Sequence, residues 1–246
     1  MFYNNINPVL AQIGPIHVRY YGLLFAAGAV IAYLIFSYLA RKKGVIREKK
    51  ELEQLLLYEL LGMLIGARLL SVMSQYSYYL EEPSQIIAVW NGGMAFHGGL
   101  IGMIIGGLVF CRQYKKDFYE LADLLVIPLG IALMLGRIAN YLNSEFYGKI
   151  TSVPWAVKFE GIEGFRHPVQ LYEAAKNLLI FALLWAIKDK SLKKGALFWT
   201  FILSYGTLRF FLEFFKELPT LMGLTWGQWW SVPMIISGIY MLYRKL

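Results

Sequence analysis

The sequence predicts an all-α fold: a polytopic membrane helix bundle of about seven transmembrane helices, with the N-terminus outside and the C-terminus cytoplasmic. Three observations predict it: the composition, the length of the apolar blocks, and the distribution of basic residues between alternate connections. Of 246 residues, 58% are hydrophobic and 16% charged, and the mean hydropathy is +0.50. A soluble domain carries about 25% charged residues, so the composition favours a membrane class.

The apolar blocks are about twenty residues long, the length needed to cross a hydrocarbon core of about 30 Å at ~1.5 Å per helical residue. They run over 20–40, 55–73, 94–111, 120–142, 168–187, 196–215 and 227–243. Met1 to Gln12 carries no Lys or Arg, and no small-residue cleavage site follows the first block. That block is therefore expected to be an uncleaved anchor and not a signal peptide.

Net charge is +8, which by itself would also suit nucleic acid, but its placement decides otherwise. The segments after blocks one, three, five and seven hold fifteen lysines and arginines, whereas the N-terminal tail and the remaining connections hold five. The positive-inside rule then puts the C-terminus in the cytoplasm and the N-terminus outside, a parity that seven spans satisfy and six or eight do not. The basic runs read as topology signals and solvated faces, with no nucleic-acid partner. The single cysteine, Cys111, excludes an internal disulfide and any cysteine-based metal cluster.

No low-complexity tract or internal repeat interrupts the chain, so residues 1–246 are expected to form one integral membrane domain. The outer connections are longer than the cytoplasmic ones. Outer loops 74–91 and 143–166 are candidates for a small extracytoplasmic cap, and their Tyr76, Tyr78, Tyr79, Trp90 and Trp155 suit an interfacial belt.

An ionisable side chain at bilayer depth costs about 2.5–3.5 kcal/mol on insertion scales, so each needs a partner or a purpose. In block four, Arg137, Asn140 and Ser144 share one helical stripe. In block six Tyr205, Arg209 and Glu213 do the same, and Arg209 with Glu213 also reads as a structural ion pair. Block three begins Gly92-Gly93-Met94-Ala95-Phe96-His97-Gly98-Gly99, where the glycines let a backbone or a ligand approach the imidazole. Block five begins His167-Pro168-Val169-Gln170-Leu171-Tyr172-Glu173, and block one opens Arg19-Tyr20-Tyr21-Gly22.

With the spans alternating in direction, Tyr21, His97, Arg137, Asn140, Glu145, His167, Glu173 and Arg209 all fall near the outer leaflet. Scattered structural pairs have no reason to share one depth, so a single outward-facing polar cavity is expected. Two arginines with forked donors suit a phosphate, and at that depth a phosphate means a phospholipid headgroup. An imidazole, which titrates near neutral pH, can take a proton from a nucleophile. His-Glu-x-x-His, P-loop, Gly-x-Gly-x-x-Gly and Gly-x-Ser-x-Gly patterns are all missing, so neither a metal nor a cofactor is expected.

At these residues the chain resembles the bacterial prolipoprotein diacylglyceryl transferases. The resemblance runs through Arg19-Tyr20-Tyr21-Gly22, Gly66-Ala67-Arg68, Gly92 to Gly99, Gly136 to Gly148, His167 to Glu173, Tyr205 with Arg209 and Glu213, and Gly227-Gln228 with Ser231, Pro233 and Met234. Each motif is weak alone; seven in this order are specific. The sequence departs from the family pattern at Ala95, Ala139 and Ser144, the last standing where a glycine is usual, and at Lys216, where arginine is common.

The resemblance implies transfer of a diacylglyceryl group from phosphatidylglycerol, a membrane lipid, to the lipobox cysteine thiol in the signal peptide of a lipoprotein precursor. A thioether forms and glycerol phosphate leaves, at the outer leaflet of a bacterial cell membrane and without a cofactor. It implies that Arg137 binds the headgroup, that Asn140, Glu145 and Gly148 shape that site, that His97 and Arg209 are essential, and that Tyr21, Tyr205 and Glu213 support them. The expected mechanism has His97 assist removal of a thiol proton with an ordinary pKa of about 8.5. The thiolate then attacks the glycerol carbon bearing the phosphate ester, while Arg137 and Arg209 stabilise the departing charge. The alternatives are a transporter or flippase for an anionic or lipid substrate, with the arginines as its binding site, and a non-catalytic scaffold.

Overall fold

The structure is a computed structural model and describes residues 1–14 and 16–245. In chain order its elements are β1 (Phe2–Asn4), β2 (Val9–Ile13), β3 (Ile16–Arg19), α1 (Tyr20–Lys42), α2 (Lys49–Ser74), α3 (Tyr76–Glu81), α4 (Phe96–Tyr114), α5 (Phe118–Leu142), β4 (Val157–Phe159), α6 (Val169–Ile187), α7 (Ala196–Leu212), β5 (Thr220–Leu221), β6 (Leu224–Thr225) and α8 (Trp226–Lys245). A long helix stands at every one of the seven predicted blocks, and the protein is mostly helical. Four of these helices, α1, α2, α4 and α5, are long and apolar enough to cross a membrane. The other three fall short for visible reasons. Helix α7 has 17 residues, α6 buries Gln170, Glu173, Lys176 and Asn177, and α8 buries Gln228 and Ser231.

Among the described residues, three two-stranded ribbons accompany the helices, an addition to the all-helical expectation. Strands β1 and β4 pair in parallel, β2 with β3 and β5 with β6 antiparallel. Connecting segments still have to satisfy their backbone N–H and C=O groups, and short ribbons do so locally. The β5–β6 hairpin turns on Met222 and Gly223, at φ 52° and 80°. Two consecutive positive φ values suit the right-handed twist of the flanking strands.

The chain divides into two compact units, Met1–Leu39 with Ala122–Leu246, and Ala40–Leu121. In the second of these, α2 and α4 run antiparallel with their backbones in contact. A Cβ at Gly62, Gly66, Gly98, Gly102 or Gly106 would strike the facing helix's backbone. Glycines spaced by four put one stripe of missing side chains on each helix, and bare backbones can then meet along the whole stripe. At one end of the pair Lys116 bridges to Glu51 at 2.8 Å. Helix α4 stops at Lys115, in the left-handed conformation at φ 52°. Asp117 starts α5 by accepting hydrogen bonds from the N–H groups of Tyr119 and Glu120 at 2.8 and 3.1 Å.

At the other end Arg68, 6% exposed, organises the segment between α3 and α4. Its guanidinium donates to five backbone carbonyls, those of Gln85, Ile86, Ala88, Gly92 and Gly93, and lies 5.1 Å from the Tyr79 ring centre. Tyr79 is buried and so packs Arg68, while Tyr76, Tyr78 and Trp90 are exposed as an interfacial belt requires. With its donors taken up by carbonyls, Arg68 is structural.

In the other unit, α5 meets α1 where Gly28 faces Ala132, and meets α6 where Gly130 faces Asn177 and Phe181. Helices α7 and α8 close on each other through Gly206 against Met234 and Gly238 against Leu203. Asp123 of α5 caps α7 from outside, accepting from the N–H groups of Gly195 and Phe198, each at 2.7 Å. The carboxylate thereby serves N–H donors of the first turn, at the positive end of the α7 dipole.

Candidate functional site

The buried face of α6 carries a carboxylate and an amine three residues apart, Glu173 and Lys176, each 3% exposed. Buried charges persist when neighbouring elements supply partners, and the partners here come from α5 and from the end of α7. Arg137 places Nε 2.7 Å from Glu173 Oε2, and Lys216 donates to the other carboxylate oxygen, Oε1. Lys216 also reaches Glu213 Oε1 at 2.8 Å. Arg209 Nε lies 3.8 Å from the same oxygen and, although buried, has no hydrogen-bond acceptor. The expected Arg209–Glu213 pair is thus a loose one, because Lys216 holds the shared carboxylate more closely.

Glu213, 1% exposed, is positioned by the start of α8. Thr225 Oγ1 donates to its Oε2 at 2.9 Å, and Gly227 leaves the room its carboxylate occupies, since a Cβ there would overlap it. Thr225 and Gln228 form a reciprocal cap: each backbone N–H donates to the other's side-chain oxygen, at 2.9 and 3.2 Å. The Gly227-Gln228 motif therefore serves to seat Glu213 at a helix N-terminus.

The turn after α5 forms the adjoining wall. Asn140 and Asn143 donate to the two carboxylate oxygens of Glu145, at 3.3 and 3.2 Å, and Gln170 donates to the Glu145 carbonyl at 2.6 Å. Gly148 donates its N–H to the His167 carbonyl at 3.0 Å and Lys149 donates to that of Phe215 at 2.9 Å, which fastens the turn beside Lys216. A Cβ at Gly148 would run into the Phe215 carbonyl, Val169 and His167. Ser144, where the family pattern has glycine, sits at φ 56°. That left-handed conformation costs an L-residue about 1–2 kcal/mol. Ser144→Gly is accordingly expected to raise stability by up to about 1 kcal/mol, read as a higher melting temperature in detergent; an unchanged or lower one would show that the Asn4 contact to Ser144 Oγ at 3.4 Å offsets the strain.

Between these elements lies a cleft of about 100 Å³, lined among others by Arg137, Tyr147, Gln170, Glu173, Lys216 and Glu217. Glu217 is answered by Arg166 at 2.6 Å. Burial holds the His167 imidazole below its usual value, so it is neutral at pH 7. Arg137 and Lys216 at the cleft, with Lys176 and Arg209 near them, make four basic side chains around two buried carboxylates, Glu173 and Glu213. Lys176 lies 3.9 Å from the centre of the Tyr205 ring, which stacks on Phe201.

Of the residues expected at the site, Arg137, Arg209, Tyr205 and Glu213 come together here, with Asn140, Glu145 and Gly148 in the adjoining turn. Tyr21 is 39% exposed and stacks on Phe25; among the described residues no hydrogen bond or ring contact joins it to the cluster. His97 belongs to the unit formed by residues 40–121, where it is exposed in the first turn of α4 with Phe96 edge-on to its ring. The flanking glycines serve that unit's helix packing and the Arg68 carbonyl cradle. Sequence reasoning left Glu173 and Lys176 without a role and took Lys216 only as a departure from the family. The signal for all three was present as charge placed inside or at the edge of apolar blocks.

Residues 8–244 match the family model described as Prolipoprotein diacylglyceryl transferase. The chain is 38% identical to the phosphatidylglycerol--prolipoprotein diacylglyceryl transferase of Geobacter sulfurreducens, over 98% of this chain and 96% of that one. It is 39% identical to the protein of the same name from Nitrosomonas europaea, over 96% and 89%, and 34% identical to that of Legionella pneumophila, over 99% and 98%. A family match over almost the whole chain, together with relatives 38% and 39% identical over nearly their full length, means that the chain belongs to the prolipoprotein diacylglyceryl transferase family.

Proposed function

We propose that the protein transfers the diacylglyceryl group of phosphatidylglycerol to the lipobox cysteine of lipoprotein precursors. The observation that carries this reading is the excess of basic groups: four basic side chains gather around two buried carboxylates beside the cleft, with Arg209 Nε buried and lacking an acceptor. Such a site is complete only when an anion enters, and arginines arranged this way suit phosphate. The similar proteins named above are transferases, and no observation favours a transporter.

In the proposed topology seven helices span the cell membrane, the N-terminus is outside, and the cleft lies at outer-leaflet depth. Segments 74–91 and 143–166 cap their respective helices on that side. His97 assists removal of the thiol proton, an assignment supported by the resemblance. The thiolate sulfur attacks the glycerol carbon of the phosphate ester, the carbon–oxygen bond breaks, and its electron pair leaves with glycerol phosphate. Arg137 and Arg209 bind the phosphate, while Glu173 and Glu213 hold the cations in place.

The test is direct. Purified protein in detergent with phosphatidylglycerol and a lipobox peptide should yield a thioether-linked diacylglyceryl peptide and equimolar glycerol phosphate. No modified peptide in detergent, with lipid movement between leaflets when the protein is placed in vesicles, would overturn the reading.

A further inference from the structure

The Lys176 amine is the basic group in the cluster to which the proposed phosphate binding by Arg137 and Arg209 assigns no role. Its side chain is almost wholly buried, its Nζ has no hydrogen-bond partner among the described residues, and the centre of the Tyr205 ring lies 3.9 Å from that nitrogen. It interacts electrostatically with Glu173, Arg137, Arg209 and Lys216. An isolated buried charge without an acceptor is strongly unfavourable. Three nearby cations make it more so, and Glu173 is already engaged by Arg137 and Lys216. A hydrophobic residue would fill this position on an apolar helix without that penalty. The amine is therefore held in a state that an incoming anion relieves, and relieves more as the anion's charge grows.

We propose that Lys176 is a positioning residue for the leaving group, acting through its charge to select the dianionic product phosphate over the monoanionic lipid phosphate. The inference rests on the transferase reading above. The chemistry supplies the difference in charge: phosphatidylglycerol is a phosphodiester with one negative charge. When the thiolate sulfur bonds to the glycerol carbon and the carbon–oxygen bond breaks, the electron pair and the thiolate's charge leave on the phosphate monoester, which then carries two. The thiol proton has already gone to the base. With Lys176 protonated, the cluster's excess of two positive charges matches the departing phosphate, and with Lys176 replaced by a neutral residue the excess is one. Neither Glu217, paired with Arg166, nor Glu145, exposed and held by two asparagine amides, changes that balance at the buried cluster.

A group that responds to charge developing after binding acts on kcat more than on KM. Lys176→Met, close in volume and neutral, is expected to lower kcat for peptide modification about tenfold or more while KM for phosphatidylglycerol stays within about twofold. Inhibition by free glycerol phosphate should weaken in Lys176→Met in step with kcat, and at pH 5, where the inhibitor is largely monoanionic, the gap between wild type and variant should narrow. Lys176→Arg, which keeps the charge, should retain most of the rate, and melting temperatures identify any variant that fails to fold. Unchanged kcat in a folded Lys176→Met overturns the inference, as does a rate loss that Lys176→Arg shares in full while folded. Absence of thioether formation by the wild-type protein instead overturns the underlying transferase reading.

Discussion

Arg137→Ala is expected to abolish thioether formation, lowering the rate by about a thousandfold or more while the protein still inserts. The guanidinium lines the cleft and uses Nε for Glu173 at 2.7 Å; no other hydrogen bond engages it among the described residues. A forked donor in this position binds a phosphate oxygen pair and stays fixed as charge develops, a combination worth several kcal/mol in a site shielded from water. Removing it also takes a fixed positive charge out of the cluster of basic groups beside the cleft. Glu173 keeps Lys216 as a partner, so the carboxylate is not stranded, and the loss of stability should be smaller than the about 3–5 kcal/mol of a fully broken buried pair. Arg137→Lys separates geometry from charge: it restores the positive charge without the fork and is expected to recover only part of the rate. The measurement is the mass shift of a lipobox peptide, alongside a melting curve in the same detergent. Substantial peptide modification by a folded Arg137→Ala would remove Arg137 from the headgroup site.

This prediction was half legible in the sequence. Arg137 and Arg209 stand out as charges inside apolar blocks, and the blocks themselves are plain because twenty apolar residues in a row have few other uses. Spacing alone paired Arg209 with Glu213, four residues on, and missed Lys216, which sits closer to the same carboxylate. Which charge answers which depends on α6 lying against the end of α7, a relation that no local pattern encodes. The ribbons were invisible for a different reason: strands of two to five residues are too short for an alternating pattern to show. Arg68 was visible as a misfit in α2, but its partners are carbonyls of residues 85–93, and backbone atoms leave no trace in residue identity.

The glycines give the sharpest contrast between pattern and cause. Beside His97 they suggest access to an imidazole, yet Gly98 and Gly102 form part of a four-residue stripe facing Gly62 and Gly66. That spacing was in the sequence all along and is a known device for bringing membrane helices together. It yields an expectation with an internal control. A Cβ at Gly102 would overlap the carbonyl of Gly62, whereas at Gly107, on the same helix, it would meet nothing within 4 Å. Gly102→Ala should therefore force α2 and α4 apart and destabilise the protein by about 3 kcal/mol, the upper end for overpacking because the obstacle is backbone and has no rotamer to change. Gly107→Ala should be neutral or stabilising by up to about 1 kcal/mol, since alanine is the better helix former. Activity is expected to follow stability: the α2–α4 pair fixes both the Arg68 cradle and the first turn of α4 that presents His97, so Gly102→Ala should lose peptide modification at temperatures where Gly107→Ala keeps it. Equal melting temperatures for the two variants would mean that the close contact between the helices gives way at little cost, and that the four-residue stripe does not hold them together.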